Sequence, residues 1–140
     1  MIIVICGSRK FSDGIREAGR KLREAGHIVL EPILNENKVV NNLSSDIKRY
    51  VYSGLTLHQF ELIRKAEICL IYNPGGYAGN SVTLELGAAA MCDLLIYALE
   101  EDKDEICRNV LFNFVCGDIE NFIKMISGKE TEKKEAGDGK

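Results

Sequence analysis

Short runs of apolar residues alternate with amphipathic stretches along the chain. "IIVIC" (2–6) is continuous, largely β-branched and stops at Gly7, the pattern of a strand buried on both faces. From Asp13 to Ala25 the positions Ile15, Ala18, Leu22 and Ala25 recur at spacings of three and four, which predicts an amphipathic helix that stops at Gly26. "HIVL" (27–30) reads as a second strand, ended by Pro32. Strand, helix and strand in such quick succession make a βαβ unit.

The segment 31–42, "EPILNENKVVNN", is polar, asparagine-rich and longer than an ordinary connection. Residues 44–66 have helical spacing through Ile47, Tyr50, Val51, Phe60 and Ile63, with Gly54 a point at which the helix divides in two. "EICLIY" (67–72) is a third buried strand, and "NPGGYAGN" after it is turn chemistry throughout. A helix over 81–91 follows, with Asn80 or Ser81 as its cap. "DLLIYAL" (93–99) and "NVLFNFV" (109–115) read as a fourth and a fifth strand. A last helix starts at Asp118 as N-cap, with Ile119, Phe122, Ile123 and Ile126 on one face. The tail 128–140 is charged and almost free of apolar residues, so it is expected to be disordered beyond a single domain at 1–127. This alternation specifies an α/β fold, a doubly wound and mostly parallel sheet of about five strands in a three-layer α/β/α arrangement. Ligands in such sheets bind outside the carboxyl ends of the strands, where the strand order reverses. The loops 6–13, 31–42 and 73–80 belong at that edge, and they look unlike plain connectors.

Composition narrows the partners. Hydrophobic residues are 46% and charged residues 28% of the 140-residue chain, with a net charge of -3 and no local cluster of Lys and Arg, so nothing favours a nucleic-acid polymer. No apolar run approaches the roughly 18–20 residues that span a membrane. Five scattered cysteines, Cys6, Cys69, Cys92, Cys107 and Cys116, form no C-x-x-C pair. They indicate free thiols in a reducing, cytoplasmic setting, with no metal site.

Candidate chemistry lies in two loops. In "CGSRKFSDG", Gly7 permits a tight turn, Ser8 offers a hydroxyl and Arg9 and Lys10 offer charge, beside the N-terminus of a helix that favours anions. Neither the G-x-x-x-x-G-K-[ST] nor the G-x-G-x-x-G pattern is present. In "NPGGYAGNSVTLELGAA", Gly75, Gly76 and Gly79 allow close approach of backbone to a ligand, and Glu85 lies about one turn into the following helix. Glu85 is either a solvated charge or a carboxylate placed at the ligand-binding edge. Gly87, which costs about 1 kcal/mol inside a helix, suggests that something packs against it. His27 reads as structural, while His58 lies on the helix before the third strand within possible reach of the cleft.

Together the Gly-Ser after the first strand, "KAEICLIYNP" and "GNSVTLELGAA" resemble the nucleoside 2-deoxyribosyltransferase superfamily, which includes the deoxynucleoside-monophosphate N-glycosidases. The resemblance covers residues 2 to 99. It rests most on a Gly-x-[Ser/Thr]-x-x-x-Glu-[Leu/Ile/Met]-Gly pattern met by Gly79, Ser81, Glu85, Leu86 and Gly87. It implies a flavodoxin-like fold and cleavage or transfer at a base–sugar N-glycosidic bond, with Glu85 as nucleophile and no cofactor. Gly7, Ser8, Arg9, Asn73, Gly76, Gly79 and Ser81 would bind the nucleotide or nucleoside. Arg9 would meet a 5′-phosphate, and Asn73 would stand where members carry an acidic residue for the sugar hydroxyls. A homodimer or higher homo-oligomer is also implied. "NPGGY" is similar, second, to the "PGGYGT" loop of lysine-decarboxylase-like phosphoribohydrolases. A non-catalytic nucleotide-binding or sensor domain is the alternative reading.

Overall fold

The computed structural model describes residues 1–34 and 42–138, with 129–138 described in backbone only. The part of the 31–42 loop at 35–41 lies outside the described residues. The strands are β1 (Ile2–Gly7), β2 (Ile28–Leu30), β3 (Ile68–Tyr72), β4 (Leu95–Ala98) and β5 (Phe114–Val115). The helices are α1 (Ser12–Glu24), α2 (Ser45–Lys65), α3 (Asn80–Met91), α4 (Ile106–Asn109) and α5 (Ile119–Asp138). Two single 3-10 turns, Arg9–Phe11 and Pro74–Gly76, follow β1 and β3.

The sheet order is β2-β1-β3-β4-β5, parallel throughout. The chain moves outward from β1 to β2 and then crosses back to β3, so the order reverses between β1 and β3. That is the flavodoxin-like doubly wound order, with its ligand edge beyond Gly7 and Tyr72, which pair in register. Alternate strand residues feed two cores. Ile3, Ile5 and Leu70 pack with Ile15 and Leu22 of α1 and with Phe122 and Ile126 of α5. Val4, Cys6, Cys69 and Ile71 pack with Ile63 of α2 and with Val82, Leu86 and Ala89 of α3. The three layers follow from this period-two alternation.

Several local expectations needed correction. Gly54 does not divide α2, because its position is open to solvent and a glycine holds helical geometry at a cost of only about 1 kcal/mol. The run 109–115 yields only two strand residues, since its first part closes the turn of α4. Helix α3 is capped by Gly79 with no side-chain cap bond, so Asn80 and Ser81 lie in its first turn. Gly87 is not a close-packing point, since a side chain there would meet open space. The backbone of α5 runs helical to Asp138, beyond the boundary at 127. The segment 129–138 is rich in Glu and Lys, which have high intrinsic helix propensity. Asp118 does cap α5, accepting from the Asn121 amide at 2.7 Å, and Gly26 ends α1 with φ +93°. No helix among the described residues is long and apolar enough to cross a membrane.

Candidate active site

A cleft of about 420 Å³ opens at the β1/β3 edge. One wall is the loop after β1, Gly7 to Lys10, and a second is Pro32–Leu34 after β2. Helix α2 presents Tyr52, Leu55, Thr56 and Gln59, while α3 and its approach present Tyr77, Gly79, Asn80, Ser81, Val82 and Glu85. The volume suits a small ligand.

Each wall has a local cause. Gly7 is compelled by packing, because a Cβ there would sit 2.9 Å from Ile15 Cδ1 and 3.0 Å from the Tyr72 carbonyl oxygen. Ser8 caps the turn that follows, its Oγ accepting from the Lys10 amide at 3.4 Å. The Arg9 guanidinium lies 5.1 Å from the centre of the Tyr52 ring, and Lys10 Nζ lies 3.5 Å from that of Tyr77. Both are cation–π contacts that hold positive charge at the cleft mouth. With Gly79 as cap, no side-chain cap bond is made at the start of α3 among the described residues, and this turn lines the cleft. The helix is braced from outside, because Thr83 Oγ1 donates to the Gly79 carbonyl at 3.0 Å and accepts from Arg108 Nε at 2.9 Å. Arg108 in turn makes an ion pair at 3.0 Å with Asp102, whose side chain is fully buried.

Glu85 lies in the second turn of α3, mostly buried, and is the acidic residue that lines the cleft among the described residues. Oε2 is buried with no hydrogen-bond partner among the described residues. Burial raises its pKa from the ordinary 4.5 to about 7, with a hydrogen bond from the Cys6 thiol acting in the opposite direction. A carboxyl so placed exchanges between neutral and charged forms near neutrality.

Of the residues singled out in the sequence, Gly7, Ser8, Arg9, Gly79, Ser81 and Glu85 converge on this cleft. Asn73 and Gly76 do not. Asn73 is fully buried, and its Nδ2 donates to the Glu100 carbonyl at 2.7 Å. Its Oδ1 accepts from the amides of Leu99 and Glu100 at 2.9 and 3.2 Å, so the side chain splices the end of β3 to the end of β4. Gly76, at φ +74°, presses its backbone against the loop after β4, where a Cβ would lie 2.3 Å from the Glu101 carbonyl oxygen. His58 is exposed and outside the cleft, whereas Gln59 beside it is buried and lines it. The face Tyr52, Thr56 and Gln59, at spacings of four and three on one helix, was the available signal for this wall.

A parallel sheet in the order 2-1-3-4-5 with a carboxyl in the cleft beside its switch point defines a flavodoxin-like α/β protein. Solved structures share this fold. The 2-deoxyribosyltransferase of Bacillus psychrosaccharolyticus superposes with a TM-score of 0.63 at 17% identity, over 88% of this chain and 90% of that one. The CMP N-glycosidase BcmB of Clostridium botulinum does so with a TM-score of 0.53 at 13% identity, over 91% and 98%. No family model and no curated protein matches the sequence.

Proposed function

We propose that this protein breaks the N-glycosidic bond of a nucleotide or nucleoside, with Glu85 as nucleophile. The observation that carries this reading is the buried carboxyl with an unpartnered oxygen, set at the switch-point cleft. In its charged form a carboxylate oxygen bonds to the anomeric carbon while the carbon–nitrogen bond breaks and the electron pair leaves with the base. A proton from solvent neutralises the departing base. Water then attacks the glycosyl ester, releasing the free sugar and restoring the carboxylate, or a second base attacks and gives transfer. The negative charge of Glu85 also offsets the positive charge that develops on the sugar ring. Two structures of the same fold, a deoxyribosyltransferase and a CMP N-glycosidase, support this choice of bond.

Gly7, Ser8, Arg9, Gly79 and Ser81 hold the substrate. Arg9 and Lys10 at the mouth favour a substrate that carries a phosphate. The protein works as a homodimer through the outer faces of α2 and α3, where Ile47, Tyr50, Leu57, Leu84 and Met91 are exposed. Gly54 and Gly87, each facing open space, lie on the same faces.

The test is release of free base from a panel of nucleosides and nucleoside monophosphates. We expect release, and its loss by roughly a thousandfold or more in Glu85→Ala with the fold retained. Tight nucleotide binding with no base released would assign the chain to the non-catalytic, sensor-like reading instead.

A further inference from the structure

We propose that Arg108 is a positioning residue for the substrate, holding the first turn of α3 in place at the cleft through Thr83. The proposal rests on the reading of this cleft as the nucleotide or nucleoside site. Thr83 is the link: its Oγ1 donates to the Gly79 carbonyl at 3.0 Å and accepts from Arg108 Nε at 2.9 Å. Gly79, Asn80 and Ser81 line the cleft, whereas Thr83, Arg108 and Asp102 do not. Arg108 therefore acts on a ligand only by way of the turn that it braces. Its guanidinium has little freedom of its own. Arg108 Nη1 donates to Asp102 Oδ2 and Oδ1 at 3.0 and 3.2 Å, between an almost buried side chain and a fully buried one. Asp102 Oδ1 also accepts from the amides of Asp104 and Glu105 at 3.0 and 2.8 Å. Asn109 brackets the Asp102 backbone, accepting from its N–H at 2.7 Å and donating to its carbonyl at 2.8 Å.

The same stretch of chain after β4 also holds the other end of the glycine-rich loop. Asn73 is bonded to the backbone of Leu99 and Glu100, and the Gly75 amide donates to the Glu100 carboxylate. Gly76 lies against the Glu101 carbonyl. The loop is thus fixed at its start by residues 99–101 and at its end by Arg108, and Tyr77 between the two anchors lines the cleft. A nearly buried ion pair is a costly way to fill space, because apolar residues of similar volume would stabilise the fold at least as well. What the guanidinium adds is direction, since one planar group meets the Asp102 carboxylate and the Thr83 hydroxyl in a fixed geometry. Asp102 also offsets the positive charge that Arg108 brings near the N-terminal end of α3, where a lone cation is unfavourable.

The experiment compares base release from the same substrate panel by the full chain and by Thr83→Val, Thr83→Ser, Arg108→Ala and the combination of Arg108→Ala with Thr83→Val. Thr83→Val keeps the shape of the side chain and loses its hydroxyl. We expect its KM to rise roughly tenfold with kcat within about threefold, because the turn holds the substrate while Glu85 supplies the chemistry. Thr83→Ser, which keeps the hydroxyl, restores KM. The combined variant loses no more than the worse single one, because Arg108 acts through Thr83. Arg108→Lys, which keeps a charge beside Asp102 but lacks the Nε donor, replaces Arg108→Ala if that variant does not fold. An unchanged KM in Thr83→Val, serine behaving as valine, or losses that multiply in the combined variant overturns the proposal. A readout without turnover is deuterium exchange at the Thr83 amide, which donates to the Gly79 carbonyl at 3.1 Å. In the Arg108 variant it should speed up roughly tenfold beyond any change in β1 and β3. Exchange that rises equally in all of them is a plain loss of stability and overturns the proposal too. If no member of the panel is cleaved, the reading of the cleft as a site of base release fails, while the exchange at Thr83 still decides whether Arg108 holds the turn.

Discussion

Glu85 sits where two demands conflict, since a nucleophile must be ionised and a buried carboxyl resists ionisation. Its folded pKa of about 7 lies above the ordinary 4.5, so the folded state binds a proton that the unfolded chain has already released. The carboxyl's contribution to stability is therefore complete below about pH 4.5 and declines as pH rises to about 7, by up to about 3 kcal/mol. Glu85→Gln removes that dependence. Its melting temperature should match the wild type near pH 5 and exceed it at pH 8, in thermal unfolding followed by circular dichroism, while base release is lost. In the wild type, kcat/KM should climb with pH through about 7 as the carboxylate forms. Arg9→Ala should raise KM for a nucleoside monophosphate roughly tenfold and leave the corresponding nucleoside nearly unchanged, measured in the same assay. The glutamate was legible in the sequence because a glycine-rich turn and a helix start lie directly before it. Gln59 and Tyr52 were not, because they reach the cleft only through the crossover that lays α2 beside β1. Asn73 misled for a related reason: its place after β3 is at the ligand edge, but its amide faces the neighbouring strand end.

The joint between β3 and β4 shows how elements share one side chain. Asn73 both donates and accepts there, which an aspartate cannot do, since its oxygen would face the Glu100 carbonyl. Asn73→Asp should therefore destabilise the fold by about 2–4 kcal/mol in urea unfolding, with no gain in base release. Gly76→Ala should cost about 2 kcal/mol or more, from its positive φ and the contact with Glu101. Strands β1, β3 and β4 were readable because each is buried on both faces and so appears as an unbroken apolar run. Strand β5 was overdrawn because apolar residues of a short helix and its turn precede it without a break. The cap of α3 was misassigned by one or two residues because Gly79 supplies the geometry and leaves Asn80 and Ser81 to the cleft.

At the scale of the whole molecule, the outer faces of α2 and α3 expose Leu57, Leu84 and Met91, and it is here that we propose two copies meet. Leu57→Lys combined with Met91→Glu should halve the sedimentation mass if two copies meet there, whereas Ile28→Lys, on the edge strand β2, should not. The same helix has another property. Over its 21 residues α2 fully buries only Gln59 and Ile63, with Phe60 and Leu62 packed partly buried against the core, so its hold on the sheet is concentrated in its C-terminal third. If two copies meet through this face, α2 should open in a dilute, separated protomer before the rest of the domain, beginning at its less buried N-terminal part. Deuterium uptake would then be fastest in the backbone amides of the N-terminal part of α2, while those of β1 and β3 stay protected, and raising the protein concentration would slow the exchange of α2 first.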